Sequence, residues 1–175
     1  MSARRLVAAL GLAVALPAAA GPVGQRLPSV RGTSLAGAEV RLPEDLAGAP
    51  AVLLVAYRRQ TQADVDRWLA ALDRLAPDVV ALEVPTITNP IWRPLQGWID
   101  DGMRGGVPAE AWGRVVTLYD EAPRLADFLG ERRGAVTHVV LLDATGTVAF
   151  FHAEGYSEEA AARLIEAVGA LGAGS

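Results

Sequence analysis

Two histidines, His138 and His152, carry the chain's best groups for metal binding or proton transfer. If the hairpin that contains them pairs Asp143 with Thr147, His138 lies directly opposite His152 on the same face. Two imidazoles in that position could bind one metal ion. A third ligand would have to come from Glu83, Glu154 or Met103. The alternative is a pair of partly buried, hydrogen-bonded histidines, and a shift of one residue in register would separate them.

Arg58 and Arg59 form a second candidate site, for anions. They follow an apolar run at residues 51–57 and precede a helix-start signal at residues 61–64. Free backbone N–H groups at a helix N-terminus attract anions, and guanidinium groups hold a carboxylate or phosphate through two bonds. The pattern therefore predicts either a small-molecule site or a solvated pair that ends a buried strand.

The segment from residue 86 to residue 114 is a long connection that contains three of the four tryptophans. Long connections often carry function, and Trp, Met and Arg are enriched at binding surfaces. We therefore expect a surface for a protein partner, and its candidate residues are Trp92, Arg93, Trp98, Met103 and Arg104. The alternative is that Trp92 and Trp98 pack this insertion onto the sheet.

Other kinds of catalytic site are not supported. The chain has no cysteine, which removes disulfides, thiolate chemistry and sulfur-ligated metals. Asp100 and Asp101 are neighbours on a predicted helix and point apart, so they do not form an acid/base pair. Ser34 and Ser157 lack the context of a catalytic triad, and Ser157 is expected to cap a helix. We expect no catalytic residue and no cofactor.

The first 20 residues are typical of a secretory signal peptide. Arg4 and Arg5 precede an apolar run at residues 6–16, and three alanines end at Ala20, the expected cleavage site. Cleavage there takes two of the 16 basic residues and leaves 14 against 20 acidic ones. An acidic exported protein, periplasmic or otherwise outside the cytoplasm, is a poor candidate for binding nucleic acid. Residues 21–34 are interpreted as a lead-in segment and residues 35–175 as one domain.

The elements that must position these residues follow from hydrophobic periodicity. An apolar strand at 51–57, a helix at 62–76 with Thr61 as N-cap, and a strand at 79–84 predict a parallel pair with a right-handed crossover. After the insertion, the pattern predicts a strand at 115–119, a helix at 122–129, a hairpin with strands at 136–143 and 147–153, and a helix from Ser157. A short strand at 39–42 precedes them all.

This order resembles the thioredoxin fold in its extended, peroxiredoxin-like form, and residues 39–54 and 139–148 resemble that superfamily's lead-in and hairpin. The resemblance implies an α/β three-layer sandwich, with a mixed central sheet, a C-terminal antiparallel hairpin and a final helix. Gln62 and Val65 stand where the superfamily has its redox cysteines, and Thr137 stands where it has a cis-proline. Peroxidase and oxidoreductase activities are therefore not implied.

A closer resemblance is to the mitochondrial assembly factor for the membrane sector of ATP synthase and its bacterial relatives. It rests on residues 89–94, 101–108 and 118–120. The resemblance implies binding, with a protein partner such as a membrane complex. We thus expect a secreted, redox-inactive thioredoxin-like binding protein, and two alternatives remain open. One is a metal-binding protein or enzyme that uses His138 and His152; the other is a small-molecule binder at Arg58 and Arg59.

Overall fold

The computed structural model describes residues 21–131 and 134–173 of the 175-residue chain. The expected signal peptide, residues 1–20, lies outside these ranges. The strands are β1 (Val30–Ser34), β2 (Glu39–Leu42), β3 (Ala51–Ala56), β4 (Val80–Pro85), β5 (Val116–Thr117), β6 (His138–Leu142) and β7 (Val148–His152). The α-helices are α1 (Gln62–Leu75), α2 (Gln96–Arg104), α3 (Ala122–Phe128) and α4 (Glu158–Gly172). None of the helices in the described ranges has both the length and the apolar character that crossing a bilayer requires.

Strand β3 is the centre of a four-stranded sheet with the order β4-β3-β6-β7. It pairs in parallel with β4 and antiparallel with β6, as the predicted crossover and hairpin require. A second sheet has the order β2-β1-β5. Parallel bridges from Glu83 to Val115 and from Thr86 to Leu118 connect the two sheets along β4 and β5. The predicted mixed sheet is therefore confirmed, and short β5 joins its two parts.

All six residues of β3 are buried, because both faces of the sheet are covered. Alternate residues contact separate cores: Val52 and Leu54 pack under α1 and α4, whereas Leu53 and Val55 pack against α3 and the inner face of β1. Trp68 of α1 is fully buried in the first of these cores. The chain thus has the predicted three-layer α/β sandwich.

The start of α1 differs from the prediction in its cap. Helix α1 begins at Gln62 as expected, but Thr61 lies in a preceding 3-10 turn and its side chain makes no capping bond. Its hydroxyl donates instead to the carbonyl oxygen of Arg58, at 2.8 Å. The predicted cap at Ser157 is confirmed, because its hydroxyl accepts a bond from the Ala160 N–H at 3.1 Å.

The hairpin of β6 and β7 forms as predicted, but its register changes partway along. Leu142 pairs with Val148, whereas the next pair is Leu141 with Phe150, so Ala149 is an extra residue in β7. Beyond this irregularity Val139, and not His138, lies opposite His152. The prediction that the two histidines share one face is therefore wrong.

Candidate functional site

The end of β3, the start of α1 and the loop before β6 meet at one edge of the four-stranded sheet. A carboxylate occupies this junction in the present chain. Asp64, in the first turn of α1, accepts hydrogen bonds from the backbone N–H groups of Thr137 and Tyr156, at 3.3 and 2.7 Å. Its side chain is 14% exposed, and Arg67 lies 3.8 Å away. Asp64 therefore ties α1 to the segments that precede β6 and α4, over sequence separations of 73 and 92 residues.

Next to this junction, His138 belongs to a buried polar cluster. Its Nε2 lies 2.8 Å from a carboxylate oxygen of Glu131, which also accepts a bond from the Gly134 N–H. The rings of Tyr57 and Phe151 contact His138 edge-on, at 5.3 and 5.5 Å. Burial lowers the pKa of His138, nearby Glu131 opposes that shift, and His152 adds to it. Burial, and then Glu131, raise the pKa of the Tyr57 hydroxyl.

His152 lies on the other side of the hairpin, in a separate environment. Its Nε2 is 2.7 Å from the Gly155 carbonyl oxygen, and its ring contacts Trp68 at 5.6 Å. Because of the change in register, the imidazoles of His138 and His152 do not converge on one ion. The described ranges also contain no group of three His, Cys, Asp or Glu side chains arranged to hold a metal. The geometry on which the shared metal site depended is therefore not formed.

Arg58 and Arg59 lie where the sequence placed them, between β3 and α1. Both side chains are exposed, and the Nε of Arg58 lies 3.2 Å from the position that a Cβ on Gly134 would take. Neither guanidinium forms an ion pair with another described residue. The anion site at this junction stays a prediction.

The insertion between β4 and β5 has the most unusual surface of the molecule. From Ile87 to Arg114 no residue is buried, although the segment contains α2 and two 3-10 helices, Pro90–Leu95 and Ala109–Arg114. Several of its large apolar side chains are exposed: Ile91 at 69%, Trp92 at 46%, Leu95 at 44% and Trp98 at 74%. The expectation that Trp92 and Trp98 form a surface agrees with this exposure, and packing onto the sheet does not.

Polar contacts hold the insertion to the rest of the molecule. Arg93 pairs with Asp120 at 2.7 Å, and the Tyr119 hydroxyl donates to Asp100 at 2.8 Å. Arg104 donates to the Leu35 carbonyl oxygen at 2.8 Å. It also pairs with Asp101 at 2.7 Å and lies over the ring of Trp112. Arg93 and Arg104, predicted to bind a partner, thus use part of their donor capacity inside the chain, and the apolar residues face outward.

Sequence reasoning missed two residues of this surface and one of the junction. Ile91 and Leu95 extend the exposed apolar face of Trp92 and Trp98, and their spacing of four residues was a signal that could have found them. Asp64 falls within the predicted helix-start signal at residues 61–64, which indicates no more than a helix N-terminus. Its partners are distant in sequence, so no local pattern could have revealed them. Met103 is only partly exposed, at the end of α2.

The sequence matches no known protein-family model and no curated protein. Solved structures do resemble it. A protein of Aquifex aeolicus, described as a candidate for electron transfer, superposes with a TM-score of 0.63 at 17% identity, over 83% of this chain and 96% of that chain. The exposed lipoprotein thioredoxin of Streptococcus pneumoniae superposes with a TM-score of 0.54 at 16% identity, over 79% of this chain and 98% of that chain. A member of the Sco family of cytochrome c oxidase assembly proteins superposes with a TM-score of 0.57 at 14% identity, over 87% of this chain and 96% of that chain. At these identities the likeness establishes a thioredoxin-like fold.

Proposed function

We propose that this chain is an exported thioredoxin-like protein that acts by binding a protein partner through its insertion, as an assembly factor for a membrane complex does. The observation that carries this proposal is the absence of any buried residue from Ile87 to Arg114. An apolar face formed by Ile91, Trp92, Leu95 and Trp98 gains free energy only when another surface covers it. We call these four side chains the insertion face.

The absence of cysteine supports a binding role over a redox role. Thiol-disulfide exchange needs a thiolate nucleophile, and none of the 175 residues can supply one. Gln62 and Val65 stand at the positions of the superfamily's cysteines, and the oxygens of nearby Asp64 are already engaged by backbone N–H groups. Two solved structures of similar fold belong to an exposed lipoprotein and to an assembly-protein family, which fits both export and assembly.

The charges around the insertion face indicate the chemistry of the partner. Between residues 87 and 121 the acidic residues are Asp100, Asp101, Glu110, Asp120 and Glu121, and the basic ones are Arg93, Arg104 and Arg114. This negative border opposes docking on anionic lipid headgroups and favours a basic surface. The partner is therefore a protein segment with apolar residues flanked by lysine or arginine, such as a loop beside a membrane-spanning helix.

Site-specific crosslinking tests the proposal. A photoreactive amino acid in place of Leu95 should crosslink one discrete protein in the membrane fraction of cells that export the full chain. Trp98→Gln and Ile91→Gln should each reduce the crosslinked product by roughly 10-fold, because apolar anchors dominate interface energies. Leu75→Gln is the matched control, since Leu75 is 49% exposed but lies on α1.

Three results would contradict the proposal. They are the recovery of no discrete product, an equal loss of product with Leu75→Gln, and the finding of the chain only in the cytoplasmic fraction. Failure to fold does not complicate the comparison, because each substituted side chain is exposed and its removal leaves no cavity. The melting temperatures of all three variants should stay close to that of the unchanged protein.

A further inference from the structure

A cleft with a volume of about 280 Å³ lies between the small sheet and the insertion. Its floor is the outer face of β1 and β5, which carries Arg31, Thr33 and Thr117, and Tyr119 lines the cleft just beyond the end of β5. Gln96 of α2 lines it from the insertion, directly after Leu95 of the insertion face. Through Gln96, the cleft adjoins the segment that carries the surface we propose for the partner.

A buried polar atom beside this cleft has no hydrogen-bond partner among the residues that the structure describes. Thr117 is 1% exposed, and its Oγ1 makes no hydrogen bond to any described residue. Thr117 pairs with Thr33 across the sheet, so the two side chains share a face. Because Thr33 is exposed and lines the cleft, that face is the one that borders the cleft. A buried hydroxyl without a partner costs free energy, which a ligand that bonds to it would recover.

The charges of the cleft select the kind of ligand. Its lining contains one arginine and the carboxylates of Glu39, Asp120 and Glu121. Arg31 is neutralised by Glu121, with 3.2 Å between Nε and Oε1, and Asp120 is paired with Arg93. Glu39 forms no ion pair with another described residue. The remaining charge is therefore negative, and it stands beside the hydroxyls of Thr33 and Thr117, which accept hydrogen bonds.

The size of the cleft argues for a side chain as its occupant. Sites for small molecules and cofactors usually have volumes of roughly 300–1,000 Å³ and mainly apolar walls. This cleft is smaller and its lining is mostly polar. A guanidinium group offers five N–H donors on a long stem, which suits a carboxylate and several hydroxyls better than the single ammonium of lysine does.

We infer that the cleft receives a basic side chain, best matched by arginine, from the protein partner bound at the insertion face. The inference rests on the proposed function and adds a specificity element to it. The apolar face supplies binding energy, and the cleft selects partners that carry an arginine at the corresponding place.

Binding of a small probe tests the cleft without the partner. N-acetyl-arginine amide, added to the ¹⁵N-labelled full chain, should shift the backbone amide signals of Thr33, Thr117 and Tyr119 in a saturable manner. The neutral analogue N-acetyl-citrulline amide should bind at least roughly 5-fold more weakly, because it lacks the charge that Glu39 attracts. Equal shifts from both probes, or no saturable shift from either, would overturn the inference.

Two substitutions assign the binding to named groups. Glu39→Gln should weaken binding of the arginine probe by roughly 5-fold, while Glu166→Gln, the same change on exposed α4, should leave it unchanged. Thr117→Val should weaken binding without lowering the melting temperature, because the hydroxyl that it removes bonds to no other residue in the described ranges. Indistinguishable effects of Glu39→Gln and Glu166→Gln would refute the assignment, as would full binding by Thr117→Val.

These results separate the two proposals. If the arginine probe binds but Trp98→Gln leaves crosslinking unchanged, the insertion face is wrong and the cleft stands as a guanidinium site. If crosslinking depends on Trp98 but the probe does not bind, the partner proposal stands and the inference about the cleft fails.

Discussion

At the scale of single residues, Asp64 connects three separate segments of the fold. Its two carboxylate oxygens accept bonds from Thr137 and Tyr156, and both bonds join segments that are far apart in sequence. Hydrogen bonds to a charged acceptor are stronger than neutral ones. The junction of β3, α1 and the loop before β6 is therefore occupied by a structural contact.

Replacement of Asp64 should destabilise the protein. Asp64→Ala leaves two N–H groups without their acceptor, which we expect to lower the free energy of unfolding by about 2–4 kcal/mol. Asp73→Ala is the matched control on the same helix, because Asp73 is exposed and forms no ion pair with another described residue. Urea unfolding of the two variants measures the difference. Equal and small losses would show that the Asp64 bonds contribute little.

His138 should make stability depend on pH in a defined direction. Burial lowers its pKa in the folded chain, Glu131 opposes this shift, and His152 adds to it. The ring of Tyr57 contacts the imidazole edge-on. The unfolded chain then takes up a proton near pH 6.5 before the folded chain does. The contribution of His138 to stability is therefore complete above about pH 6.5 and is lost as the pH falls towards its folded pKa.

An NMR titration measures this directly, because the sequence contains only two histidines. The His138 ring signal, assigned with His152→Asn, should titrate below pH 6.5. Glu131→Gln should lower the pKa of His138 further, since it removes the charge that opposes the shift. A midpoint above pH 6.5 would mean that the attraction of Glu131 outweighs the cost of burial.

At the scale of secondary structure elements, burial on two faces explains which predictions hold. β3, α1 and α4 have strong apolar periodicity and form within a few residues of their predicted bounds. β5 is shorter than predicted, because only Val116 and Thr117 pair with β1. The hairpin's two strands also form, but the extra residue Ala149 shifts the pairing of every later residue of β7 by one position. A period of two residues cannot reveal such an insertion, since either register leaves an alternating pattern.

The insertion should be the least protected element of the chain. Its helices bury no residue and are attached mainly by side-chain bonds at Asp100, Arg93 and Arg104. Amides of residues 97–104 should therefore exchange with solvent hydrogen much faster than those of β3, which open only on global unfolding. Hydrogen exchange read by mass spectrometry checks this. Protection of α2 equal to that of β3 would contradict it, unless a bound partner is present.

At the scale of the whole molecule, a thioredoxin-like fold forms from a chain that contains no cysteine. The buried residues of both cores are aliphatic side chains and Trp68. The lining of the cleft and the border of the insertion face are acidic, as is the chain, whose formal net charge is −4. Gln96 brings the insertion to the lining of the cleft, so the partner that we propose would meet these charges near the exposed apolar residues.

The sequence by itself determined the order of the layers and the exclusion of thiol chemistry. Hydrophobic periodicity is local, and the absence of cysteine is a property of composition. Only the tertiary structure decided that His138 and His152 lie apart, that Asp64 bonds to Thr137 and Tyr156, and that the apolar residues of the insertion face outward. Each of these depends on contacts between distant segments, where register and the direction of one side chain are set by packing.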